Sequence, residues 1–466
     1  MLELYRESLA KDGCFVQEYP QVFKAAAATI PSHIPSKMAI LMAAAELTVF
    51  AGHLRKPIMW HGSKIPVNMI AFLIGGSGSG KGLSIKCISK ILENGNTQID
   101  KSREAYAKVL AVEAAEADGK KPTDWRKYYA KPKSLKSTVS TLPGTMKHLA
   151  SLEKGKLGSG YMYVDEIGSE LVSNKDLSEN IIALAIGYDL GEIAPKLLKD
   201  DTNQVEAIHN LPYSALMFGS PANIIYDEVV KKKFKDEFST KLSRRVHFAF
   251  ITEKEEKPVF DSIAESRLHA KTERDRVAEA TAGLAPWFTS LVTTTTHIPL
   301  AVTEEVEDLF SDYQGYNDWY AETISKQYPM TILHRLHLQW KSLKIAGALA
   351  ILSGDTVITK QHMVEAIRFS EIFANDLMAF ETELSKEPYE LLVSYMHSIA
   401  VGGTATVSIH QLRKLGFITG QGSDRKAIEL VDLANNLDTS KYEVIGKYIH
   451  FFQDVGDTSY DRDTLA

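Results

Sequence analysis

Residues 69–86 read Met-Ile-Ala-Phe-Leu-Ile-Gly-Gly-Ser-Gly-Ser-Gly-Lys-Gly-Leu-Ser-Ile-Lys. An apolar run leads into a glycine-rich turn that closes on Gly80-Lys81, and a helical pattern follows. Glycines let successive backbone N–H groups wrap an anionic phosphate, and the helix start adds its positive end at the same place. A lysine at position 81 brings a full charge to the β- and γ-phosphates of a nucleoside triphosphate such as ATP. The binding segment is Gly75, Gly76, Ser77, Gly78, Ser79, Gly80, Lys81, Gly82 and Leu83. Its spacing fits G-x-x-x-x-G-K-[ST] up to the last position. There Gly82 stands where a Ser or Thr hydroxyl ordinarily holds Mg2+, and Ser84, two residues on, faces a different side of the helix.

Chemistry on a triphosphate also needs a carboxylate at the end of a neighbouring buried strand. Residues 160–166, Gly-Tyr-Met-Tyr-Val-Asp-Glu, supply an apolar run ending in two acids. Asp165 is the candidate Mg2+ ligand, and Glu166 the candidate for polarising the attacking water. A third apolar run, 214–218, ends in Gly219-Ser220-Pro221, with Asn223 close behind. Ser220 or Asn223 at that tip can touch the γ-phosphate or the water. Before a fourth apolar run stand Arg244 and Arg245, whose planar guanidinium groups suit phosphate oxygens. Arg335 opens a later helical stretch and is a further phosphate candidate. His334 and His337 share a helix face, but no carboxylate or cysteine pattern joins them, and they read as structural.

These residues need a scaffold of buried strands alternating with helices, an α/β P-loop NTPase core over residues 61–255. Residues 1–60 read as an N-terminal helical region in which Pro35-Ser36 opens a helix reaching about His53. Residues 98–136 are charged and alanine-rich, and read as an inserted pair of helices joined by a turn. Their basic residues fit a solvated surface, with a nucleic-acid face as the alternative. A second basic cluster spans 228–245. Residues 256–386 read as a linker and a helical lid. In the lid Leu336, Trp340, Leu343, Ala346 and Ala350 recur at helical spacing, and Thr359 is a plausible N-cap for the next helix. Residues 387–453 read as a winged helix: an apolar helix, a capping pattern at Ser408, a helix over 425–437 and a hairpin over 442–452. From Ser408 to His450 six Lys/Arg face five Asp/Glu, so protein or DNA suits this module equally. The acidic, polar tail 454–466 reads as disordered.

The chain has 466 residues, 44% hydrophobic and 24% charged, with a formal net charge of −6. That charge excludes a uniformly basic nucleic-acid binder, though not a local basic channel. No apolar run reaches the ~18 residues of a membrane span. Two cysteines without metal spacing, Cys14 and Cys87, suit a reducing cytoplasm.

The order of these parts resembles the ATPase portion of phage- and mobile-element-encoded primase–helicases. More distantly it is similar to the minichromosome-maintenance branch of the AAA+ ATPases. The resemblance covers about residues 35–450, and its specific motif is the P-loop. It implies an oligomeric DNA helicase or translocase, a hexameric ring in the host cytoplasm, with ATP and Mg2+ as cofactors. Single-stranded or forked DNA and replication proteins would be its partners. It places an arginine finger, acting on a neighbouring subunit, on Arg244, a sensor on Ser220, and a lid sensor on Arg335. Three departures stand out: Gly82 replaces the magnesium hydroxyl, Ser220 replaces the usual Asn, and no primase module is present. Two other readings remain: a nucleotide-dependent helicase loader or assembly switch acting on proteins, and a P-loop phosphotransferase.

Overall fold

The apolar runs become the strands of one parallel sheet: β1 (Ile70–Gly75), β2 (Lys136–Ser137), β3 (Gly160–Val164), β4 (Tyr213–Gly219) and β5 (Val246–Ile251). The computed structural model describes residues 1–76, 79–194, 207–252, 258–414, 417–418 and 423–453. Ser77, Gly78 and the tail 454–466 therefore lie outside the described residues. The sheet order is β2-β3-β4-β1-β5, with every pairing parallel. Every residue of β1 and β4 is buried, because helices cover both faces.

One face packs on α1 (Ser36–His53), which is apolar all round and buried at nearly every position. Pro35 stands at its N-cap, as expected from the sequence. Ala71 and Leu73 of β1 belong to this layer. Glu46 interrupts the run, and its buried carboxyl accepts the Tyr161 hydroxyl at 2.6 Å. On the other face Phe72 packs against Phe234, Phe238 and Phe248.

The chain divides into two units. The first, Met1–Ser220 with Lys233–Ala379, holds the sheet and the helices that cover it. These include α2 (Lys81–Ala117), α3 (Leu142–Glu153), α4 (Ile167–Ser173), α5 (Leu177–Leu190) and α6 (Ile263–Thr294). Further along come α7 (Glu304–Thr323), α8 (Pro329–Arg335), α9 (Leu338–Ser353) and α10 (Lys360–Phe373). A capping box built by Thr359 and His362 starts α10.

The second unit comprises residues 221–232 and the chain from Phe380 on. It contains α11 (Pro388–Ile399), β6 (Thr404–Ser408), α12 (Ile409–Lys414), α13 (Ser423–Leu437), β7 (Lys441–Ile445) and β8 (Tyr448–Phe452). The three strands pair antiparallel in the order β6-β8-β7. Residues 221–232 join this unit through Tyr226, whose ring lies 4.5 Å from that of Phe417.

Several elements differ from expectation. The inserted helix pair is one helix and one turn. α2 runs unbroken through Ala117, Gly119 at φ +68° ends it, and a 3-10 turn follows at Pro122–Lys127. The linker 257–300 is mostly the single helix α6, with Pro286 inside it. The lid pattern splits between Arg335 and Leu338 into α8 and α9. Strand β6 had no counterpart in the sequence reading. Among the described residues, no helix is long and apolar enough to cross a membrane.

Candidate functional site

β1 ends at Gly75, and Gly80 stands at the N-cap of α2 with φ +83°. A Cβ at Gly80 would sit 2.0 Å from Ile34 Cδ1, so a side chain there meets both backbone strain and a clash. The Ser79 N–H donates to the Gly76 carbonyl at 3.4 Å. The Ser79 hydroxyl is buried and has no partner among the described residues. Lys81 makes no ion pair among the described residues, and its Nζ lies 5.8 Å from the centre of the Phe218 ring on β4. A lysine and a hydroxyl without partners, beside glycine backbone, fit an anionic ligand such as a phosphate chain.

The register gathers the other candidates at the same edge. Gly219 stands beside Ile74, Met217 stands beside Phe72, and Val164 stands beside Met217. Asp165, Glu166 and Ser220 thus leave their strands at the edge from which the loop leaves β1. Strands lie about 4.8 Å apart, so the two acids are about 10 Å across the sheet from β1. After β1 the chain travels to β2 at one end of the sheet, whereas after β4 it crosses β1 to reach β5 at the other. Loops that diverge in this way open a crevice at the carboxyl ends of the strands, where ligands of such sheets bind.

Glu166 has a role the sequence reading missed. It is the N-cap of α4, and its Oε1 accepts the N–H groups of Gly168 at 3.3 Å and Ser220 at 3.2 Å. One carboxylate oxygen therefore ties the tip of β3 to the tip of β4. The signal was an acid directly before a helical start, which matches an N-cap as well as a catalytic acid. Asp165 is exposed and accepts the Tyr163 hydroxyl at 3.1 Å. Burial, and then the Asp165 carboxylate, push the Tyr163 phenol up to about 12, so it stays a donor.

Ser84 offers nothing to the loop: it is buried, and its hydroxyl donates to the Gly80 carbonyl at 3.0 Å. Gly82 and Leu83 are exposed, and a Cβ at Gly82 would meet nothing within 4 Å. The first turn of α2 thus presents no free hydroxyl toward the loop.

Arg244 lies elsewhere. It is exposed in the turn before β5, and Val246 stands beside Ile70 at the start of β1. The length of β1 puts about 17 Å between that edge and the loop. Arg245 is buried and paired with Asp189 at 2.5 Å. Asn223 belongs to the second unit.

Arg335, a phosphate candidate in the sequence, has its side chain taken up by other groups. It is 2% exposed, donates to Glu371 at 2.7 Å and to Asn375 at 3.0 Å, and lies 4.5 Å from the Tyr320 ring. A guanidinium this deeply buried is held by its carboxylate, and releasing it would leave Glu371 uncompensated.

His334 is buried in contact with Lys341 and the Ser243 carbonyl. Among the described residues, no three His, Cys, Asp or Glu side chains gather as a metal cluster. No family model matches the chain, and no curated protein matches it significantly.

Proposed function

We propose that this protein is an ATP-hydrolysing motor with an AAA+-like P-loop core, working as an oligomer on single-stranded or forked DNA. The observation that carries the reading is the shared carboxyl edge of three adjacent strands. The Gly80-Lys81 turn, the Asp165-Glu166 pair and Ser220 all leave the sheet there. Lys81 would hold the β- and γ-phosphates, and Asp165 would hold Mg2+, which neutralises phosphate charge. Glu166 keeps one oxygen on the Gly168 and Ser220 N–H groups. Its other oxygen can orient a water for attack on the γ-phosphorus, with the bridging bond to the β-phosphate breaking. Ser220 sits at the strand tip beside that water.

Arg244 supports an oligomer on this reading. At the opposite sheet edge it can reach only the nucleotide of another copy, as an arginine finger does. A hexameric ring is the assembly the sequence resemblance favours. The second unit, a helix, a strand, two helices and a hairpin, is read as a winged helix. Its Arg425 pairs with Glu429 at 3.0 Å.

ATP turnover of the wild type and of Lys81→Ala, with and without single-stranded DNA, tests the proposal, with particle mass measured in parallel. The motor requires Lys81-dependent turnover that DNA stimulates, in a multi-subunit particle. Turnover that ignores DNA in a monomer would sink it. One observation favours a second reading, a nucleotide-dependent loader or switch: α2 offers no hydroxyl to the metal. Tight ATP binding with little turnover, accelerated by a protein partner, would identify that case.

A further inference from the structure

A cleft of about 520 Å³ opens between the far half of α2, the return segment 128–133 and α3. Five cations line it: Arg103, Lys131, Lys133, Lys147 and Lys154. No carboxylate does. Tyr106 and Tyr128 stand among them, over a floor that includes Leu110, Ala111 and Ala150. Arg103 is buried and fixed by Asp100 at 2.9 Å and by the Lys133 carbonyl at 2.7 Å, so it shapes the wall. Lys131, Lys133 and Lys154 are exposed and make no ion pair among the described residues. Tyr128 is oriented by its hydrogen bond to Asp118 at 2.7 Å.

The surrounding sequence has the same character. Residues 120–136 carry seven Lys/Arg against one acid, Asp124, with Trp125, Tyr128 and Tyr129 interleaved. Lys108 lies 4.8 Å from the Trp125 ring and Lys156 lies 5.3 Å from the Tyr106 ring. In a chain of net charge −6 this is a local concentration of positive charge. A basic groove lined with aromatic rings matches a flexible polyanion with flat, stackable groups. An acidic peptide would satisfy the cations but leave the tyrosine faces without a counterpart.

We propose that this cleft binds single-stranded nucleic acid, with Lys131, Lys133 and Lys154 on the phosphodiester backbone and Tyr106 and Tyr128 stacking on bases. The proposal deepens the motor reading by naming where the strand is held. Its test reads binding itself, without ATP, so the two stand or fall separately.

The probes are fluorescent dT20 and rU20, titrated into the full chain by anisotropy at several salt concentrations. Three backbone contacts predict a log–log salt slope of about −2.1. Lys131→Gln/Lys133→Gln should weaken binding about tenfold or more at low salt and shallow the slope by about 1.4. Tyr106→Ala should cost about tenfold with the slope unchanged. Lys81→Ala should bind as the wild type does, and so should the control Lys11→Gln/Lys326→Gln, at two exposed lysines elsewhere. Preference between dT20 and rU20 assigns DNA or RNA. The proposal is overturned if neither oligonucleotide binds, if the cleft variant binds like the control, or if polyglutamate competes as well as unlabelled dT20.

Discussion

The two edges of the parallel sheet treat polar groups in opposite ways. At the carboxyl edge, among the described residues, the Ser79 hydroxyl has no partner, Lys81 has no counter-ion, and a Cβ at Gly82 would meet nothing within 4 Å. At the amino edge two buried lysines are held by protein acceptors. Lys344 Nζ donates to the Pro66 carbonyl, the Asn68 side chain and the Tyr188 carbonyl at 2.8–3.0 Å. Lys341 donates to the Val246 carbonyl and contacts His334. A buried polar group without partners costs stability, so a fold keeps few of them. A buried lysine held by carbonyls ties elements together, whereas a polar group left open at a strand end has bonding capacity to spare.

The largest effect expected from this contrast is at Lys81. Lys81→Ala should lower ATP turnover about a thousandfold, because an electrostatic clamp on the phosphates is removed. It should leave the urea midpoint almost unmoved, because the side chain supports nothing else in the fold. A loss of stability equal to that of a core substitution would show that the carboxyl edge is structural too.

Glu166 sharpens the comparison because it belongs to both kinds of group. Glu166→Gln keeps an oxygen for the Gly168 and Ser220 N–H groups and loses the negative charge. Turnover should fall about a hundredfold with stability unchanged. Glu166→Ala should in addition cost about 1 kcal/mol, the usual loss for a helix cap. If Glu166→Gln kept full turnover, Glu166 would be a cap alone.

Lys344 probes the other edge. Burial pushes its ammonium down to about 7. Between that value and the ordinary 10.5 the unfolded chain binds a proton that the folded chain does not. Stability from this group therefore rises as pH rises through that window, by up to about 1.4 kcal/mol per pH unit, and is flat below it. Lys344→Met should remove that part of the slope in urea midpoints measured from pH 7 to 10. Turnover per folded molecule at pH 7 should not change. A Lys344→Met protein with the wild-type slope would show that the amino edge is wetter than its geometry.

The elements at the carboxyl edge were largely legible in the sequence, because their signals sit in contiguous stretches. The glycine turn with Lys81, the strand before Asp165-Glu166, and the helix opening at Pro35-Ser36 each carry local signals. The amino edge was not legible. The lid helix showed an apolar stripe at Leu336, Trp340 and Leu343, which says nothing of where Lys341 and Lys344 go. In fact α9 is buried almost all round, and Lys341 and Lys344 go in with it. Their acceptors come from Val246 and from Pro66 and Asn68, far away in the chain. For the same reason the pairing of Arg335 with Glu371 and Asn375 carried no signal in the sequence.

The smallest effect is the most discriminating for mechanism. Gly82 stands one residue after Lys81, is exposed, and leaves room for a side chain. Gly82→Ser adds a hydroxyl at the usual magnesium position, and replacing a glycine inside a helix should itself add a few tenths of a kcal/mol of stability. If Asp165 alone positions the metal, the added ligand should raise turnover several-fold and lower the Mg2+ concentration needed for half-maximal rate. If turnover is unchanged while stability rises, the metal is already fully held without this hydroxyl. The carboxyl edge would then be complete as it stands, and slow turnover in the wild type would have to come from assembly and not from the loop.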